Sequence, residues 1–182
     1  STHTFLILSV GVLLFPTGFG YDPLLHGATE RILFETGSIL PKTMLYIGQY
    51  VLVILLKHLT LLPLALINAF LLPVLFSIFV PSILLLALKE YFNASITNVA
   101  ITVPFLLLIP LGQFTTTTPQ GLSYFFLIVI SLWWLFYNKA KNNAHLGIIL
   151  FLCITTFFIH PLTGIPLLLW IGSLFVIDNI II

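Results

Sequence analysis

Apolar runs close to the length of a bilayer crossing follow one another along this chain, and little charge interrupts them. A helix needs about 20 consecutive apolar residues to cross hydrocarbon, and inside lipid it must satisfy its backbone polar groups within its own segment. The 182 residues contain only six Lys or Arg and five Asp or Glu, and 60% are hydrophobic. The mean hydropathy of +1.21 excludes an ordinary water-soluble domain. The runs are continuously apolar rather than alternating, which argues against a transmembrane β-barrel. The sequence therefore predicts an all-α, polytopic transmembrane helical bundle. A formal net charge of +1 without a basic patch gives no reason to expect a nucleic-acid partner. Cys153 lies alone in an apolar run, so no disulfide forms within the chain, and it reads as an inert packing or lipid-facing residue.

In order, the expected spans cover about 4–18, 68–88, 96–111, 122–137, 145–159 and 165–182, about six in all. The chain opens directly into Phe5–Phe15 and stops within Ile180–Ile182, so it reads as a fragment cut beside a span at each end. It forms one transmembrane domain over 1–182, with a first outer loop at 19–67 and further transmembrane helices over 68–182. Tyr46–Thr60 is short for a crossing and is expected to lie along the interface. Lys139 and Lys141 mark a cytoplasmic turn by the positive-inside rule, with Lys89 on the same side. The stretch 19–67, the Thr-rich loop 113–121 and His160 then fall outside, provided that 44–60 does not cross. Trp133, Trp134 and Tyr137 suit an interfacial aromatic belt.

Charge collects in Gly20–Gly37, which holds Asp22, Glu30, Arg31 and Glu35. Asp22 before Pro23 is a good N-cap, Pro23 suits a first turn and Gly37 is a natural stop, so a helix is expected over 23–36. Asp22, His26 and Glu30 then share one stripe at i, i+4 and i+8. Leu24, Leu25, Ala28, Ile32 and Leu33 can face lipid or protein. Two readings of the stripe stand side by side: a proton-handling face, or a cap followed by a solvated surface. The threonines at 115–118 read most simply as a solvated loop, and Lys57 and His58 as interface anchors.

The order of these parts resembles the GT-C glycosyltransferases, multi-spanning enzymes that use polyprenyl-phosphate sugars. Tyr21-Asp-Pro-Leu-Leu-His-Gly-Ala-Thr-Glu30 and Tyr46-Ile-Gly-Gln-Tyr50 carry the likeness to bacterial mannosyltransferase-like proteins. Thr118-Pro-Gln-Gly121 and His160-Pro-Leu-Thr-Gly164 extend it more loosely. The resemblance implies an integral, multi-pass protein of the bacterial inner membrane that transfers a sugar to an acceptor on the outer face. An acid of the first outer loop would be the general base, at Asp22 or secondarily Glu30. His26, Arg31, Lys42 and His160 would serve the donor phosphate. The partners so implied are a polyprenyl-phosphate-linked sugar, membrane lipids and an acceptor. No cofactor is implied, because Gln113–Gly121, where some members carry a metal-binding acid, has no Asp or Glu. The rival reading is a transporter or lipid flippase without catalysis, for which polar groups on broken helices are characteristic.

Overall fold

The computed structural model describes residues 2–15, 21–39, 44–102 and 111–180. All regular structure among them is helical: α1 (Thr2–Leu14), α2 (Asp22–Thr36), α3 (Ile47–Thr60), α4 (Leu64–Glu90), α5 (Ile96–Thr102), α6 (Pro119–Ala140), α7 (Asn143–Ile159) and α8 (Pro161–Ile180). Short 3₁₀ turns occupy Met44–Tyr46 and Leu111–Phe114. Leu64–Glu90, Pro119–Ala140 and Pro161–Asp178 are long and apolar enough to cross a membrane. Thr2–Leu14, Ile47–Thr60 and Asn143–Ile159 are apolar but shorter. The expected span at 96–111 is helical over Ile96–Thr102, and most of its remainder lies outside the described residues.

The core forms where α4 and α6 pack together, with α1 on α4 and α7 on α6. Leu72, Phe76, Leu122, Phe125 and Ile159 are buried there around Leu8 of α1. A second cluster joins α6, α7 and α8 through Ile130, Trp134, Ile149, Cys153 and Ile171. Trp134 and Tyr137 belong to this cluster and are buried, so the expected aromatic belt is partly core. Trp133 donates its ring N–H to His145 Nδ1 at 3.1 Å, which joins α6 to α7. Pro73 and Pro81 both lie inside α4.

The two ends of the bundle differ. Lys139 pairs with Glu90, joining the ends of α6 and α4, and Lys141 pairs with Asp178 of α8. At the other end are the start of α4, the start of α6, the turn at His160 and all of α2. The 27 residues of α4 separate these ends by roughly 40 Å.

Candidate functional site

Helix α2 stops where the sequence indicates, at Gly37, whose φ of +68° suits a residue without Cβ. Its start differs from expectation. Asp22 is the first helical residue, and Tyr21 occupies the cap position without a side-chain capping bond. More consequentially, the helix is inverted relative to a surface helix in water. His26, Thr29 and Glu30 are buried, while Leu24 and Leu25 are 53% and 57% exposed. The polar stripe is therefore core, with Asp22 alone of the three left exposed. A buried polar face needs partners, and the first turn of α3 supplies them.

His26 Nδ1 and the Tyr50 hydroxyl share a hydrogen bond of 2.8 Å. Glu30 is 0% exposed. Gln49 Nε2 donates to its Oε1 at 3.1 Å, and Asn68 Nδ2 of α4 donates to its Oε2. No Lys or Arg among the described residues pairs with this carboxylate. Loss of hydration disfavours the charged form, and the two amide donors only partly offset it, so the carboxyl pKa rises from 4.5 to about 7. Two further acceptors in this cluster, Gln49 Oε1 and Asn68 Oδ1, are buried without a donor among the described residues.

The segment before α6 completes the site. The Thr117 N–H donates to the Asn68 carbonyl at 2.7 Å, and the Leu72 N–H donates to Thr117 Oγ1 at 3.1 Å. Asn68 C=O and Leu72 N–H are the pair that an uninterrupted helix bonds to each other. Thr117 thus bonds to both members of this pair in α4, next to Pro73. Thr116 and Thr117 are buried for this reason, and the expectation of a solvated threonine loop fails.

The four motifs of the sequence converge at this end of the molecule. In Tyr46–Tyr50, Tyr46 lies between two histidines, edge-on to His26 at 5.1 Å and stacked on His160 at 5.5 Å. A Cβ on Gly48 would sit 2.8 Å from the Phe158 carbonyl carbon, so the glycine lets α3 approach the end of α7. Gln49 and Tyr50 hold Glu30 and His26. His160 Nδ1 and Thr163 Oγ1 share a hydrogen bond of 2.9 Å, and Ser123 Oγ donates onward to Thr163 Oγ1 at 3.2 Å. Burial holds the His160 imidazole below its ordinary pKa. Thr118 caps α6 by accepting from the Gly121 N–H at 3.0 Å.

Beside this polar cluster lies a cavity of about 690 Å³ between α2, α3, the start of α4 and Thr116–Thr117. Leu24, Ile32, Phe34 and Leu64 give it apolar walls, Arg31 and Lys57 bring two positive charges, and Glu35 brings one negative charge. Asn68 lines the cavity and also holds Glu30, and so connects the two. Of the residues singled out from sequence, Arg31 lines the cavity. Asp22 neighbours Pro23 on its wall, and Glu30 is buried behind Asn68. His26 and His160 meet on Tyr46, away from the cavity walls. Lys42 lies outside the described residues. Lys57, read as an interface anchor, also lines the cavity. Among the described residues no group of three or more His, Cys, Asp or Glu could hold a metal ion.

Sequence reasoning missed the roles of Gln49, Tyr50, Asn68 and Thr117. The signal for Asn68 was present: it is an amide inside the apolar run Leu61–Leu88, where a polar side chain needs a partner. Thr117 carried none, because a threonine bonded into another helix looks like any loop threonine. Compared with known proteins, the chain matches no family model, no curated protein and no solved structure.

Proposed function

We propose that the protein is a multi-pass membrane glycosyltransferase of the GT-C type, acting at the non-cytoplasmic face of a bacterial inner membrane. In this reading the bundle has about six spans, and α2 and α3 form the interfacial part of the first outer loop. The observation that carries the proposal is the cavity in which Arg31 and Lys57, with Glu35 as the one acid on its wall, stand among apolar side chains. Such a cavity suits a phosphate attached to a long hydrocarbon chain: the walls take the polyprenyl end and the cations take the phosphate. The outward leucines of α2 suit the same setting, since a helix with a polar inner face and an apolar outer face belongs against lipid.

The reaction follows from that placement. An acceptor hydroxyl attacks the sugar C1 while an acid removes its proton. The bond from C1 to the phosphate oxygen breaks, and Arg31 and Lys57 stabilise the charge on the departing lipid phosphate. Lys42 remains a candidate third cation, and His26 and His160 remain candidate phosphate contacts. Exposure and position beside Pro23 favour Asp22 as base. Glu30 is the second candidate, but its oxygens are held by Gln49 and Asn68 and are shut away from an acceptor.

The test uses the full chain in native membranes with radiolabelled polyprenyl-phosphate sugars as donors. Wild type is expected to transfer label, Asp22→Asn to lose transfer, and Arg31→Ala to weaken donor binding. Equal transfer by wild type and Asp22→Asn moves the base assignment to Glu30. Absence of transfer from every donor removes the enzymatic reading.

A transporter is the second reading. The observation that favours it is a buried carboxylate bonded to a helix that carries two internal prolines, Pro73 and Pro81, an arrangement that suits a transporter site. Substrate movement that survives Asp22→Asn, without sugar transfer, selects it.

A further inference from the structure

We propose that Glu30, Gln49 and Asn68 form a binding site for one dehydrated monovalent cation of the sodium class. The proposal is independent of glycosyl transfer and concerns the buried cluster rather than the cavity.

The first ground is charge. The Glu30 carboxylate is fully buried, and among the described residues its hydrogen-bond partners are two neutral amide groups. An ionised carboxylate in such a place needs a positive partner, and none of the Lys or Arg side chains among the described residues supplies it.

The second ground is a surplus of oxygen. Gln49 is itself 0% exposed, and among the described residues its Oε1 has no donor; Asn68 Oδ1 is likewise buried without one. Three side chains joined through Glu30 thus present four oxygens and only two NH₂ groups. A side-chain amide has nearly the same shape after a half turn, so O and N exchange places at little steric cost. Turning both amides brings their oxygens toward Glu30 and converts a hydrogen-bonded triad into an oxygen cage. The Thr117 carbonyl, 3.5 Å from Gln49 Nε2, is a further oxygen at its edge.

Oxygen ligands select hard cations, and a single carboxylate balances a single positive charge. A divalent ion would leave net charge buried here, with no second acid among the partners of Glu30 to balance it. The Thr117 backbone, bonded to the Asn68 carbonyl, passes beside the same three side chains.

The experiment measures equilibrium binding of radiolabelled Na⁺ to the purified full chain in detergent, with choline chloride holding ionic strength constant. Saturable binding of one ion per chain is expected, displaced by unlabelled Na⁺ and not by choline. Glu30→Gln, with nearly the same shape, is expected to lose this binding. In parallel, NaCl should raise the melting temperature of wild type above its value in choline chloride, and leave Glu30→Gln unchanged. No saturable Na⁺ binding by folded wild type overturns the proposal, whatever the variant does. So does equal binding by Glu30→Gln, or displacement by K⁺ as effective as by Na⁺. A buried water on the two amide oxygens predicts no ion specificity and is excluded by the expected result.

Discussion

Among single residues, Glu30 couples the polar end of the molecule most directly to pH. Its carboxyl group has a folded pKa of about 7 against 4.5 when unfolded. The folded chain therefore holds a proton that the unfolded chain has released across this window, and stability falls as pH rises through it. Below about pH 4.5 the carboxyl is neutral in both states and its burial carries no charge penalty. Above about pH 7 the loss is complete, on the order of 3 kcal/mol. Thermal unfolding in detergent and choline buffer should show this decline for wild type and a flatter profile for Glu30→Gln. Spacing alone identified Glu30 and His26 as partners on one face. It left open whether that face was wet or buried, because an i, i+4, i+8 stripe looks the same in both cases. What decides is the set of donors on other elements, Gln49, Tyr50 and Asn68, and helical periodicity carries no information about those.

Helices were more legible than their faces. Gly37 ends α2 as expected, and Leu64–Glu90 contains the expected 68–88 with both prolines. Long apolar runs identify helices because backbone bonding leaves few alternatives in lipid. Which side of α2 turns inward could not be read by the usual rule, since polar-out holds against water and not against hydrocarbon. Contacts between elements supply two predictions. Gly48→Ala would push a methyl group against the Phe158–Ile159 backbone, 2.8 and 2.9 Å away. Separation of α3 from α7 is expected to cost about 1–3 kcal/mol, read as a lowered melting temperature. Thr118→Ala removes the cap that accepts from Gly121 N–H and should cost about 1 kcal/mol in the same assay.

For the whole molecule, the division of polar groups between the two ends is the testable feature. Tyr21 is 90% exposed at the site end, whereas Lys139 lies with Glu90 at the other. Under the proposed orientation, Tyr21→Cys should react with a membrane-impermeant maleimide in intact cells, and Lys139→Cys only after permeabilisation. The native Cys153 is buried and should remain silent in both. Labelling of both positions from the same side would remove this topology. The lysines at 139 and 141 carry the proposed orientation, because few other charges compete with them. The convergence of four distant motifs was not readable, since it depends on how α3, α7 and the segment before α6 meet.

The bonding of Thr117 to α4 has a further consequence for how this chain can vary. Connections between helices usually tolerate added or deleted residues. Here a backbone N–H and a hydroxyl of one residue answer two groups one turn apart in another helix. Adding a residue between Thr118 and Pro119 would leave Thr117 in place but detach the Thr118 cap from α6. Adding one just before Thr117 would displace it from both Asn68 and Leu72 unless the upstream turn absorbed the shift. The short connection is thus a gauge of fixed length, and this part of the chain can change its letters far more readily than its count.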